Sequence, residues 1–118
     1  MLQLRSSDKL RTYTMARVGF TMKLFAGKEE EYKKRHDAIW PELVGLLKQH
    51  GIKEYSIFLD EASNILFGVL DVDNPAALDI LPSSPIMQKW WSYMGDIMET
   101  NPDNSPLSVS LKEVFYMP

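Results

Sequence analysis

The segment from residue 65 to residue 72 constrains the fold most, because it is apolar on both sides of the strand it predicts. Its residues alternate between the two sides, and polar turn residues precede it. The two sides carry Ile65, Phe67 and Val69, against Leu66, Gly68, Leu70 and Val72. A strand of this kind has to be covered on both faces of its sheet.

The flanking segments predict the remaining elements. Apolar spacing, with glycine and proline breaks, predicts strands at 17–25, 52–60, 65–72 and 107–116, helices at 28–50 and 86–99, and a weak helical stretch at 76–81. Pro41 follows Trp40 inside the first helix, so we expect this helix to be bent or divided there. The order β-α-β-β-α-β predicts an α+β, ferredoxin-like fold with an antiparallel sheet and both helices on one face.

The second face of the predicted sheet has no cover within the chain. Two helices cover only one face, and 118 residues are the length of a single domain. A second copy of the same sheet is the simplest cover for an apolar face in so short a chain. We therefore expect a homodimer with its sheets face to face, a dimeric α+β barrel, with a ligand site in the enclosed space.

Composition argues against several classes of function. The net charge is −3 and the basic runs are short, so binding to nucleic acid is not expected. No apolar run approaches the roughly 18 residues of a membrane span, so a membrane partner is not expected either. The absence of cysteine excludes disulfides and thiolate nucleophiles. These features favour a soluble, cytoplasmic protein.

The chain also lacks the common motifs of metal, nucleotide and hydrolase sites. Its two histidines do not form a His-x-x-x-His motif, and there is no Gly-x-Gly-x-x-Gly, P-loop or Gly-x-Ser-x-Gly sequence. We therefore expect neither a metal nor an organic cofactor. The classes of function that these absences leave open are acid–base catalysis and ligand binding without catalysis.

His36 is the first candidate for acid–base chemistry. It lies on the apolar stripe of the first helix, four residues after Tyr32 and four before Trp40. An imidazole between aromatic rings in an apolar cavity titrates near neutral pH, which suits proton transfer. The alternative, which the pattern alone favours, is a core histidine bonded to a backbone carbonyl. His50 precedes Gly51, where a histidine is expected to serve the helix C-terminus.

Aromatic residues elsewhere are candidates for ligand binding or for core packing. Trp90 and Trp91 are adjacent on a helix and point about 100° apart, so only one of them faces the core layer. Indole rings suit the C–H faces of sugars, but packing between helix and sheet is the alternative. The side chain of Tyr55 either points into a cavity or is the last member of a row of packed side chains on its strand. The basic run at 33–35 predicts a solvent-exposed helix face.

Several segments together resemble one family. They are Glu-Tyr-Lys-Lys-Arg-His-Asp-Ala-Ile-Trp-Pro-Glu-Leu at 31–43, Tyr-Ser-Ile-Phe-Leu-Asp at 55–60, Trp-Trp at 90–91, Asn-Pro-Asp-Asn-Ser-Pro at 101–106 and Glu-Val-Phe-Tyr at 113–116. From about residue 15 to residue 118 the chain resembles the L-rhamnose mutarotase family. We therefore expect an N-terminal extension at 1–14, outside the family domain, and a mutarotase-like domain at 15–118. The pair Asp37-Ala38 departs from the Asn-Pro that this family often has after the histidine.

The resemblance implies an activity and a set of site residues. It implies an isomerase that interconverts the α and β anomers of L-rhamnose, as a ferredoxin-like dimer without metal or organic cofactor. By match of position, His36 corresponds to the family's proton donor. Tyr32, Tyr55, Trp90 and Trp91 correspond to its sugar-binding residues.

Two other functions stay open at this point. Small dimeric α+β barrels also support cofactor-free oxygenases, which would consume oxygen with an aromatic substrate. A sugar-binding dimer without catalysis is the other alternative, and it would leave the anomer exchange of the sugar at the rate in buffer.

Overall fold

The strands and helices follow the predicted order within residues 16–118, the part of the chain that the computed structural model describes. Strands β1 to β4 are Ala16–Lys23, Ile52–Asp60, Ile65–Val72 and Val109–Leu111, and helices α1 to α3 are Glu29–Asp37, Pro41–Gln49 and Pro85–Met94. Two short 3-10 helices, Pro75–Asp79 and Leu81–Ser83, replace the predicted weak helical stretch. The predicted extension at 1–14 lies outside the described residues.

The strands form one antiparallel sheet in the order β2-β3-β1-β4. The helices cover the face of this sheet that carries the buried side chains of β1 and β3, among them Met22, Leu66, Leu70 and Val72. We call this the covered face. The α+β, ferredoxin-like prediction is confirmed.

The first predicted helix is divided in two, as the proline predicts. The α1 helix ends at Asp37, and Trp40 has an extended backbone with φ −64° and ψ 133°. A residue before proline avoids helical backbone, and Pro41 then starts α2 at a position that needs no backbone N–H donor. The division turns Trp40 toward α3, where its ring lies edge-on against Trp90.

The α3 helix is shorter than predicted, so the expected span of 86–99 is wrong at its C-terminal end. The helix stops at Met94, and the chain then runs beside the end of β1. The Phe25 N–H donates to the Ile97 carbonyl at 2.9 Å, and the Glu99 N–H donates to the Lys23 carbonyl at 2.9 Å. These bonds engage the Ile97 carbonyl and the Glu99 N–H, so neither group is available for a helical bond that would continue α3.

The β4 strand is also shorter than the predicted strand at 107–116. It pairs with β1 only over Val109–Leu111, where Leu111 lies opposite Gly19. Beyond residue 111 the backbone has no ladder partner among residues 16–118, and Phe115 and Met117 are exposed. The apolar alternation of the C-terminal segment therefore does not produce a longer strand within this chain.

The second face of the sheet carries apolar side chains without cover from residues 16–118. We call it the open face. Its exposed apolar residues come from three strands and are between 37% and 66% exposed: Phe58, Phe67, Val69, Val109 and Leu111. Phe58 lies directly opposite Phe67 in the ladder, and Val69 lies in the next row of the same face. The predicted two-sided apolar character of the sheet is present in the fold.

Candidate active site

The predicted site residues meet at an open cavity of about 1410 Å³ between the covered face and the helices. All five line it: Tyr32, His36, Tyr55, Trp90 and Trp91. They therefore lie on the helix side of the sheet and not on the face that the sequence predicts to meet a second copy. The helices α1 and α3 carry four of these residues, and both helices pack on the covered face.

His36 stands between two aromatic rings. Its imidazole stacks on Tyr32 at a centroid distance of 4.3 Å and meets Trp90 edge-on at 5.4 Å. Its Nδ1 lies 3.1 Å from the Tyr32 carbonyl oxygen, one helical turn earlier. Because a carbonyl only accepts hydrogen bonds, Nδ1 carries the proton in this arrangement. Nε2 is then the nitrogen left for a ligand.

The surroundings of His36 favour its neutral form. Burial among the aromatic rings lowers the pKa of His36, because the charged form loses hydration there. The bond to the Tyr32 carbonyl and the carboxylate of Asp37 oppose this effect. His36 is therefore bonded to a backbone carbonyl, as one interpretation of the sequence predicts, and it also lines the cavity, as the acid–base interpretation requires.

Tyr32 and Tyr55 bring two phenol groups to the same cavity. Burial raises the pKa of Tyr32, and the neighbouring Tyr55 adds to this effect. Burial also raises the pKa of Tyr55 to about 12, although 40% of the residue is accessible through the open cavity. Both phenols therefore stay protonated at neutral pH and are available as hydrogen-bond donors.

An irregularity in β2 brings Tyr55 to the covered face. Ile52 pairs with Val72, but Glu54 pairs with Asp71, so Lys53 is an extra residue in the ladder. Residues three apart on a regular strand point to opposite faces. The β-bulge restores the phase, so that Ile52 and Tyr55 both point to the covered face.

The two adjacent tryptophans divide as their helical spacing predicts. Trp90 is buried, and its ring packs between His36 and Trp40. Trp91 is half-buried and packs at the edge of the same core while lining the cavity. The indole of Trp90 therefore supports the His36 ring, and Trp91 is the more accessible of the two to a ligand.

The floor of the cavity depends on Gly68 in β3. The Phe20 ring lies over this glycine, and any Cβ at position 68 would overlap the ring. Phe20 in turn packs against Tyr55 at a centroid distance of 6.1 Å. A residue without a side chain thus lets Phe20 lie close to the sheet beside Tyr55.

His50 lies outside this group, as predicted. Its Nδ1 bonds the Leu46 carbonyl at 2.9 Å near the end of α2, and it does not line the cavity. Among residues 16–118, no three His, Asp or Glu side chains converge in a way that would hold a metal ion. No helix in the same part of the chain is long and apolar enough to cross a membrane.

A family model for L-rhamnose mutarotase matches residues 17–117. The chain belongs to the L-rhamnose mutarotase family. An L-rhamnose mutarotase from Agrobacterium fabrum is 59% identical over 99 residues, which are 84% of this chain and 92% of the relative. Membership makes the chain a carbohydrate isomerase of rhamnose metabolism, with L-rhamnose as its substrate. The oxygenase and the non-catalytic sugar-binding dimer are not favoured.

Solved structures show the same fold. The crystal structure of an L-rhamnose mutarotase from Formosa agariphila is 50% identical, with a TM-score of 0.81, and the match covers 87% of this chain and 99% of that one. A dimeric ferredoxin-like protein of unknown function from Jannaschia sp. CCS1 is 18% identical, with a TM-score of 0.55, over 84% of this chain and 99% of that one. The second likeness shows only that the fold is shared.

Sequence reasoning on this mutarotase family member missed three contributors to the site. Trp40 was noted only as part of the apolar stripe, yet it backs Trp90. Arg35 was assigned to a solvent-exposed helix face, which is wrong, because its side chain is only 11% exposed. Ser105 lines the cavity from the loop before β4, and its hydroxyl is bonded to Asp103. The i,i+4 spacing of Glu31 and Arg35 predicts their ion pair, but Lys33 and Lys34 have the same spacing to glutamates, so it does not single out Arg35.

Proposed function

We propose that His36 transfers the proton in the anomer exchange, and that Tyr32, Tyr55, Trp90 and Trp91 bind the sugar. The observation that carries this proposal is the position of the His36 ring. It lines the cavity with Nδ1 engaged by the Tyr32 carbonyl, so Nε2 is the nitrogen available to the sugar. The fixed Nδ1 bond also sets the orientation of the ring, which favours proton transfer along one direction.

The proposed reaction balances with one proton carried by Nε2. Protonated His36 donates its proton to the ring oxygen as the bond between C1 and that oxygen breaks. At the same time the anomeric hydroxyl gives its proton to a second group or a water molecule, and C1 becomes an aldehyde. Rotation about C1–C2 presents the other face of the aldehyde. The ring oxygen then attacks C1 and returns its proton to Nε2, and the new anomeric oxygen regains a proton.

Placing His36 at the ring oxygen explains how one residue serves both steps. The ring oxygen is bonded to C5, so rotation about C1–C2 does not carry it away from Nε2. The lowered pKa of His36 makes its protonated form a stronger acid toward a weakly basic oxygen. The same shift makes the neutral form, which takes the proton back on closure, the more abundant one at neutral pH.

The aromatic residues suit the other parts of the sugar. A 6-deoxy sugar presents a methyl group and C–H faces, which pack on aromatic rings. Trp91 is the accessible indole at the cavity wall, and Trp90 supports the ring of His36. The protonated phenols of Tyr32 and Tyr55 supply hydrogen-bond donors for sugar hydroxyls.

The test of this assignment is a matched pair of histidine substitutions. His36→Asn keeps a donor near the position of Nδ1, for the Tyr32 carbonyl, but removes Nε2. We expect it to lower the enzymatic rate of anomer exchange, measured by saturation-transfer NMR on L-rhamnose, about 10²- to 10⁴-fold. His50→Asn, which alters a similar bond to the Leu46 carbonyl outside the site, should keep the wild-type rate. A folded His36→Asn variant with the wild-type rate would show that His36 does not transfer the proton.

The pH dependence of exchange tests the direction of transfer. The fraction of protonated His36 falls as pH rises through its lowered pKa, so we expect kcat to fall above that pKa, by up to about tenfold per pH unit. The rate without enzyme at each pH is subtracted. A kcat that falls toward low pH instead would assign His36 to the anomeric hydroxyl, as a base.

We also propose that the chain forms a homodimer through the open face, in the cytoplasm. The support for the dimer is the row of the open face that runs from Phe58 and Phe67 through Thr21 to Val109, in which the three members other than Thr21 are exposed and apolar. Surfaces of this kind are characteristic of protein interfaces. Sedimentation equilibrium of the full chain tests this proposal, with twice the chain mass of 13.6 kDa as the expected result. The lack of cysteine is compatible with a reducing cytoplasm, and cell fractionation tests the location.

A further inference from the structure

Arg35 is held differently from the other basic residues of α1. Its side chain is only 11% exposed, whereas Lys33 and Lys34 are exposed. Its Nε donates to Glu31 at 2.7 Å. Its Nη1 donates to the Tyr93 carbonyl at 2.7 Å and to Asp96 at 2.8 Å, and its Nη2 donates to Asp96 at 3.3 Å. All three nitrogens of the guanidinium are therefore engaged.

These bonds join α1 to the C-terminal end of α3. Glu31 belongs to α1, but Tyr93 lies in the last turn of α3 and Asp96 follows that helix directly. The guanidinium carbon also lies 4.5 Å from the centroid of the Tyr93 ring, which adds a cation–π contact. A planar, forked guanidinium makes the paired bonds to Asp96, and a lysine ammonium cannot reproduce this geometry.

The bonds of Arg35 between α1 and α3 lie next to the His36 ring. Arg35 precedes His36 on α1, and Tyr93 follows Trp90 by three residues, so Trp90 and Tyr93 share one side of α3. The edge contact between His36 and Trp90 spans the same two helices. The distance between α1 and α3 thus decides how closely Trp90 approaches the imidazole.

Few other contacts within the described part of the chain, residues 16–118, hold α1 in place. It has nine residues, Tyr32 is its only buried residue, and Lys28 makes no side-chain cap at its N-terminus. Helices of this length are marginal without tertiary contacts. Bonds from one well-placed guanidinium to a second helix are therefore a large part of what fixes the helix that carries Tyr32 and His36.

We propose that Arg35 is a positioning residue for the mutarotase reaction, and that it holds α1 against α3 so that Trp90 stays against the ring of His36. The proposal rests on the assignment of His36 to proton transfer. Arg35 does not line the cavity, so it acts through His36 and not on the sugar.

The test compares Arg35→Lys with Lys34→Met. Arg35→Lys keeps the charge but loses the forked bonds, and we expect kcat for anomer exchange to fall about tenfold or more, with KM changed by less than about threefold. Lys34 is exposed, and its side chain is bonded to no other among residues 16–118, so Lys34→Met should keep wild-type values although it removes a charge beside Arg35.

An NMR titration of the His36 ring separates positioning from general stability. If Trp90 retreats in Arg35→Lys, water reaches the imidazole, and the pKa of His36 should move up toward its ordinary value. Because the variant keeps the positive charge, this shift cannot come from a lost charge. Asp96→Asn removes the carboxylate that accepts the paired bonds of Arg35. It should give the same shift in the pKa of His36 and the same fall in kcat.

Failure of this inference is distinguishable from failure of the proposed site. If Arg35→Lys and Asp96→Asn keep both the wild-type kcat and the wild-type pKa of His36, Arg35 is only a structural ion pair and the inference is wrong. If His36→Asn keeps the wild-type rate, the assignment of His36 is wrong, whatever the Arg35 variants do.

Discussion

The two faces of the sheet are built from the same strands and similar residues, but residues 16–118 cover only one of them. On β3, Leu66 is 2% exposed and its neighbour Phe67 is 37% exposed. The covered face meets the helices and holds the cavity with His36, while the open face carries a flat apolar surface. Apolar alternation therefore predicts that a face will be covered, but it does not tell what covers it or which face holds the site.

The largest expected difference between the faces is in stability. Leu66→Ala removes a buried side chain from the covered face and should lower the free energy of unfolding by about 2–5 kcal/mol. Val69→Ala removes a half-exposed side chain from the open face, and we expect a loss under about 1 kcal/mol. Denaturant unfolding at low protein concentration measures both. Equal losses would mean that the open face is as firmly packed as the covered one.

A second pair of variants compares glycines on opposite faces. Gly68→Ala places a Cβ against the Phe20 ring on the covered face, so we expect a loss of about 1–3 kcal/mol and a higher KM as Phe20 moves toward Tyr55. Gly19→Ala adds a Cβ on the open face at an ordinary 3.7 Å from Leu111 and should be close to neutral. Saturation kinetics and thermal unfolding of both variants measure the contrast. A Gly68→Ala enzyme with wild-type KM would show that the floor of the cavity tolerates the displaced ring.

The smallest expected effect on the folded chain comes from polar substitution on the open face. Phe58→Ser changes the side chain that is 66% exposed, so the fold of the single chain should persist by circular dichroism. The same change should weaken association, because it removes an aromatic ring from the proposed interface. Sedimentation measures the expected shift toward the single chain, and Lys89→Gln, at an exposed position of α3, is the control. Unchanged association would place the interface elsewhere.

Most of the fold is readable from the sequence because its signals are local. Strand alternation in β1 to β3, the Pro41 break and the polar turn before β3 depend on a few neighbouring residues, and all three predictions are correct. The ends of α3 and β4 depend on distant partners instead. Residues 97–99 leave the helical conformation because β1 offers them backbone bonds, and the last strand stops where β1 no longer pairs with it.

The candidate site shows the same limit. Helical spacing places Tyr32 and His36 on one side of α1, so their contact is predictable. The role of Arg35 is not, because its partner Asp96 lies 61 residues away and a basic run gives no sign of which member will be covered. Family resemblance indicated His36 among the histidines, and the fold adds a physical difference: both histidines bond a carbonyl, but only His36 also lines the cavity.

The bulge at Lys53 makes the site depend on how β2 pairs with β3 as well as on residue identity. Every side chain of β2 after this position faces the side opposite to the one that counting by twos from Ile52 would give. Pairing the strand without the bulge would keep every amino acid, yet it would exchange the positions of Tyr55 and Glu54 between the two faces of the sheet. Deleting Lys53 would instead remove the bulge together with its extra residue, so the phenol of Tyr55 would stay in the cavity.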